Sequence, residues 1–180
     1  MSDLVYVDNS NLFIEGMRVK AVEKGMARNI FDAMNNKIVG PSYKIDFGRL
    51  HHFIAGDDPA SIKRCMLFGS RPPPNDSLWK VAERAGFEVI VEDRNIKNKE
   101  KKVDTGLVAY MMRDAYKIAD PGSDTITLVA GDADFVPSIE LLKGDGYRVE
   151  VAFWDHAAKE LRDCASKFVS LNPILNHLAL

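Results

Sequence analysis

The stretch that most constrains the fold is Thr125-Ile126-Thr127-Leu128-Val129-Ala130, a β-branched, apolar run of strand length that stops at Gly131. Asp132-Ala133-Asp134-Phe135-Val136-Pro137 follows, which reads as strand, turn, helix. Asp134 is placed to cap the helix, Phe135 and Val136 to begin it, and Pro137 falls in the first turn, where a missing N–H costs nothing. The helix is short, since Ile139, Leu141 and Leu142 soon give way to Gly144 and Gly146. A strand of this kind in a parallel sheet carries both aspartates to its carboxyl end, where open α/β sheets place ligands.

The same layout recurs at the start of the chain. Leu4-Val5-Tyr6-Val7 is an apolar run closed by Asp8-Asn9-Ser10-Asn11, an acid and three capping residues at a helix start. Between and beyond these two strands, Arg64 to Gly69, Phe87 to Val91, Tyr147 to Phe153 and Phe168 to Leu171 read as further strands. Helical spacing fills Leu12 to about Lys24, the stretch after Asp46, Asn75 to Ala85, the Leu107 to Ile118 stretch and Ala157 to Ala165. Gly25 to Tyr43 has weaker periodicity and reads as an irregular or helical excursion. Strands alternating with helices imply a parallel, helix-flanked sheet, because parallel neighbours need crossover connections. Both apolar runs, Leu4 to Val7 and Thr125 to Ala130, should lie side by side at its centre under helices on each face.

A chain of 180 residues with 46% hydrophobic content supports one compact domain over residues 1–180. The formal charge of −2 does not advertise nucleic acid, so any basic surface must be local. The cysteines, Cys65 in a strand and Cys164 in a helix, offer neither a disulfide framework nor a metal knuckle. The reduced cytoplasm is the compartment expected. Met1 to Val5 runs straight into a strand without a leader pattern, and no apolar run is long enough to span a bilayer, so no membrane association is expected.

Acids therefore begin three helices: Asp8 after the first strand, Asp104 after a basic loop, and Asp132 with Asp134 after the fourth strand. Each alone reads as a helix cap. Several carboxylates on one rim suffer desolvation and mutual repulsion, which a cation offsets, and an all-oxygen set suits Mg²⁺ or Mn²⁺ rather than Zn²⁺.

Val7-Asp8-Asn9-Ser10-Asn11, Lys102-Val103-Asp104 and Ala130-Gly131-Asp132-Ala133-Asp134-Phe135-Val136-Pro137 together resemble the signatures of the NYN branch of PIN-like nuclease domains, the branch that includes LabA-like proteins. The resemblance runs from about Leu4 to Leu171. It implies an α/β fold of three layers, a Rossmann-like PIN fold with a central parallel sheet flanked by helices. It also implies a Mg²⁺- or Mn²⁺-dependent ribonuclease acting on RNA, single-stranded by preference. Carried over position by position, the catalytic and metal-binding residues would be Asp8, Asp104, Asp132 and Asp134, with Asn11 as polar support. Asp8 and Asp132, at the ends of adjacent strands, suit the inner ligand positions; Asp104 and Asp134 suit binding through water or orienting the nucleophile.

Lys97, Lys99, Lys101 and Lys102, with Arg94, can neutralise phosphates beside these acids, and Arg71 in the proline loop is a further substrate contact on the same rim. A charge run of this kind also serves as an ordinary solvated loop. Three departures from the family pattern stand out. Tyr110 occupies a position that often carries another Asp, Ala165-Ser166-Lys167-Phe168 replaces an Ala-Asp-x-Phe pattern, and Ala133 replaces a serine. Tyr110 favours the alternative of a non-catalytic RNA-binding or regulatory module on the same fold. An adhesion-type metal site is disfavoured because Leu12 breaks the Asp-x-Ser-x-Ser pattern begun at Asp8, and a dinucleotide site because no Gly-x-Gly-x-x-Gly follows the first strand. Trp79, on an apolar helix side, reads as core, and Asp155-His156 after the fifth strand could reach the rim. Homo-oligomerisation is left open.

Overall fold

A computed structural model describes residues 2–71, 77–93 and 101–180, with the side chains of Arg71, Asp93, Lys101 and Lys102 outside that description. The strands are β1 (Asp3–Asp8), β2 (Ile62–Arg71), β3 (Glu88–Asp93), β4 (Thr125–Val129), β5 (Arg148–Phe153) and β6 (Lys167–Ser170). They form one sheet in the order β3-β2-β1-β4-β5-β6, and every pairing is parallel. This is the doubly wound order, in which the chain works outward from β1 in one direction and then from β4 in the other. The switch point lies between β1 and β4, whose residues pair from Asp3 with Thr125 to Val7 with Val129.

Among the described residues, the helices are α1 (Asn9–Glu23), α2 (Ile30–Asn35), α3 (Phe47–Ala55), α4 (Ser77–Arg84), α5 (Lys101–Ile118), α6 (Val136–Gly144) and α7 (Lys159–Cys164). Alternation along β1 explains the three layers. Val5 and Val7 face a core completed by Leu12 of α1, Leu50 of α3 and Trp79 of α4. Leu4 and Tyr6 face the other, completed by Met111 of α5, Ile139 of α6 and Leu161 of α7. Leu4 through Val7 are wholly buried, as a central strand covered on both sides must be.

The ambiguous stretch after α1 contains α2, capped by the Asn29 side chain, which accepts from the Asp32 N–H at 2.9 Å. The carboxyl-terminal residues pack into the fold. Leu171, Leu175 and Leu178 join the first core, and the Asp46 N–H donates to the Leu178 carbonyl at 2.8 Å. No helix among the described residues is long and apolar enough to cross a membrane.

Candidate active site at the carboxyl edge of the sheet

Asp8 is the last residue of β1 and the N-cap of α1, its Oδ1 accepting from the Asn11 N–H at 3.1 Å. One side chain thus ends a central strand, starts a helix and faces the switch point. The second acid segment differs in detail from the sequence expectation. Asp132, not Asp134, is the capping residue: its Oδ1 accepts from the Asp134 N–H at 3.1 Å and opens a 3-10 turn over Ala133–Phe135. α6 then begins at Val136 with no side-chain cap and with Pro137 in its first turn. The tighter turn intervenes because a short side chain at Asp132 reaches the N–H two residues on, closing a local ring before helical spacing begins. Gly131 permits the close approach, since a Cβ there would stand 2.2 Å from the Phe153 ring.

Asp8, Asp104 and Asp132 line one open pocket of about 440 Å³ over the switch point, and Asn11 lines it with them. Asp104 arrives in the first turn of α5, one residue after the buried Val103. Asp134 is exposed on the 3-10 turn and is not among the residues lining the pocket. Lys97, Lys99 and Arg94 lie outside the described residues, as do the side chains of Lys101, Lys102 and Arg71. Tyr110 is also away from the pocket lining, held edge-on to Phe68 at 5.7 Å and covered by the Arg113 guanidinium 4.5 Å from its ring centroid. Trp79 is core, as its helix side implied.

The pocket also contains residues to which the sequence reading gave no role in a site. Ser10 and Ser70 bring hydroxyls to its wall, and α1 adds Glu15 and Arg18. Glu15, Arg18 and Asn11 share one helix face with the cap at Asp8, and that spacing was the available signal. His156 reaches the rim indirectly, its Nε2 standing 2.7 Å from Glu15 Oε2.

Electrostatics separates Asp8 from its neighbours. Burial pushes its carboxyl up to about 7, with further upward pressure from the Asp104 and Asp132 charges, against the backbone N–H groups of Asn11 and Ser10. A buried acid next to two others is a position that a cation relieves. Among the described residues, no three His, Cys, Asp or Glu side chains stand close enough together to hold a metal ion between them. Mg²⁺ keeps several of its waters and binds through one or two carboxylates, so a pocket of oxygen donors can suit it without three converged acids.

Fold and site together define a doubly wound α/β domain with an acid pocket at its switch point. The NYN domain family matches residues 4–172, nearly the whole chain, and the protein belongs to that family, which is PIN-like and nuclease in type. A solved structure of a protein of unknown function from Vibrio parahaemolyticus is similar, with a TM-score of 0.65 and 17% identity over 94% of this chain and 92% of that one. At that identity the likeness is one of fold. No curated protein matches the sequence.

Proposed function

We propose that this domain is a divalent-metal-dependent endoribonuclease that hydrolyses phosphodiester bonds of single-stranded RNA. The observation that carries the reading is the convergence of Asp8, Asp104 and Asp132 on one open pocket at the switch point. Asp8 and Asp132 would hold the metal directly and Asp104 through water, while Asp134, set outside the pocket, would serve the turn that positions Asp132. When bound, Mg²⁺ or Mn²⁺ supplies Lewis-acid stabilisation at the phosphate and lowers the pKa of an attacking water.

The protein's own residues orient and bind. The Asn11 N–H holds one oxygen of Asp8 in place, so the carboxylate presents its other oxygen without rotating. The Ser10 hydroxyl lines the pocket, where it suits donation to a phosphate oxygen. Lys97, Lys99, Lys101, Lys102 and Arg71 remain strand contacts in this proposal on the strength of their charge and their place in the sequence.

Labelled single-stranded RNA and DNA incubated with the protein in Mn²⁺, beside an identically purified Asp8→Asn variant, test the reading. Turnover should require Asp8 and favour RNA. Equal cleavage by both preparations would assign the activity to a contaminant. Binding without cleavage would support the non-catalytic RNA module, which Tyr110, already engaged by Phe68 and Arg113, favours.

A further inference from the structure

The acid pocket has a second charged system in its wall. On α1, Arg18 Nη1 is ion-paired with Glu15 Oε1, and Glu15 Oε2 is held in turn by His156 Nε2 at 2.7 Å. A Glu–Arg pair three residues apart on a helix is usually a solvated surface contact. Two observations set this one apart. Its side chains are 15% and 20% exposed, and the third member, His156, is 10% exposed and comes from 141 residues along the chain. The Arg18 Nε, moreover, is buried and has no hydrogen-bond partner. A charged donor left in that state is costly, so a ligand oxygen that drew the guanidinium toward the pocket would satisfy a group that the fold leaves unpaired.

The sign of the pocket gives the missing partner its chemistry. Among the described residues that line it, Arg18 is the one cation, facing Asp8, Glu15, Asp104 and Asp132. A planar guanidinium matches the paired oxygens of a phosphate, which it can take bidentately once a small shift toward the pocket uncovers the buried Nε. Arg18 lies seven residues beyond Asn11, about 10 Å along the helix axis at 1.5 Å per residue. Helical side chains lean back toward the amino end, which directs the guanidinium toward the acids.

We propose that Arg18 binds a second phosphate of the strand whose neighbouring phosphate lies at the acids, and that Glu15 and His156 are positioning residues that hold the guanidinium against the pocket. The proposal rests on the nucleic-acid reading of the site and names the residue that places the strand there. Glu15 also balances the Arg18 charge. His156 fixes Glu15 from the other side, so the guanidinium keeps one direction.

The test is fluorescence anisotropy of a labelled single-stranded oligoribonucleotide with the full chain, run both in EDTA and in Ca²⁺ over a series of salt concentrations. Arg18→Met, which keeps the aliphatic stem, should weaken binding roughly tenfold or more. It should also make the salt dependence shallower by about 0.7, the share of one phosphate contact on a single strand. Arg18→Lys should restore the salt slope but only part of the affinity, because an ammonium does not present the paired fork. His156→Ala should weaken binding about threefold with the slope unchanged, and His156→Gln, which can still donate to Glu15, should recover it. If Arg18→Met melts early, Arg18→Lys decides the matter through affinity alone.

Wild-type affinity in both Arg18 variants, or absence of RNA binding by the wild-type protein in both buffers, would overturn the proposal. Cleavage measured on the same preparations separates it from the nuclease reading. Arg18-dependent binding by a protein that never cleaves leaves this inference standing, and cleavage with unchanged KM in Arg18→Met removes it alone.

Discussion

Replacing Asp8 with asparagine should stabilise the metal-free protein while abolishing its proposed activity. The substitution isolates charge. Asparagine caps a helix as well as aspartate does, so the bond from the Asn11 N–H survives and α1 keeps its start. What disappears is a carboxylate that burial holds up to about 7 from an ordinary value of 3.8, with the Asp104 and Asp132 charges adding to the shift. Below pH of about 4 both folded and unfolded chains carry the proton and the effect is absent. Between about 4 and 7 the unfolded chain releases its proton while the folded chain keeps it, so wild-type stability falls as pH rises. Above about 7 the folded carboxylate is ionised too, and the penalty is full and constant.

At about 1.4 kcal/mol for each tenfold in proton affinity, that penalty reaches roughly 4 kcal/mol at pH 8, an upper figure because water and cations in an open pocket relieve part of it. Urea unfolding of both proteins in EDTA at pH 4, 6 and 8 measures it. The Asp8→Asn variant should gain at least about 2 kcal/mol on wild type between the ends of that range. Saturating Mn²⁺ at pH 8 should then stabilise the wild-type protein far more than the variant. A stability difference that stays flat from pH 4 to pH 8 would refute the argument that Asp8 is an acid held in its place against its own charge.

Two further perturbations probe the frame around the pocket. Asp114, on the buried face of α5 and 2% exposed, accepts from the Tyr6 hydroxyl at 3.1 Å and from Arg113 Nε at 2.8 Å. Arg64 Nε lies 3.2 Å from the same carboxylate, though outside hydrogen-bond geometry. Asp114→Ala strands these partners and should cost roughly 3–5 kcal/mol in chemical denaturation; a loss below about 1 kcal/mol would mean that water replaces the carboxylate freely. Gly131→Ala drives a Cβ to 2.2 Å from the Phe153 ring and should cost roughly 1–3 kcal/mol, with proposed activity falling in step because the same turn carries Asp132. An unchanged melting temperature would show that the ring moves aside.

The central strands were legible because their chemistry is extreme. Runs as apolar as Leu4 to Val7 and Thr125 to Val129 have no place but the middle of a covered parallel sheet, and they pair there directly. The start of α5 was less legible: Val103, Leu107 and Met111 are its buried positions, whereas Lys101 and Lys102 extend it by residues that periodicity does not mark. The exchange of capping roles between Asp132 and Asp134 turns on a 3-10 turn rather than on residue preference, since either aspartate is a good cap. Leu175 and Leu178 are not marked by any pattern along the chain, because the core they join with Tyr43 and Trp154 is assembled only by the fold.

The wall of the pocket shows why such residues escape a reading along the chain. α1 carries two demands on neighbouring faces. Leu12 and Gly16 face the core, where Trp154 Nε1 donates to the Leu12 carbonyl at 2.9 Å and a Cβ on Gly16 would stand 2.8 Å from both Trp154 and Tyr43. That close approach seats the helix on Tyr43 and on Trp154, just past β5, leaving Asn11, Glu15 and Arg18 to form the pocket side. The acid at Asp8 is local, and it follows from strand, cap and helix in sequence order. The ion pair behind it is not, because His156 meets Glu15 only after β5 has docked beside β4 and the helix has been drawn down by Trp154, two residues earlier in the chain. The residue that seats α1 and the residue that fixes its charge thus belong to the same turn after β5, so the geometry of the pocket wall depends on the far side of the switch point as much as on the strand that bears Asp8.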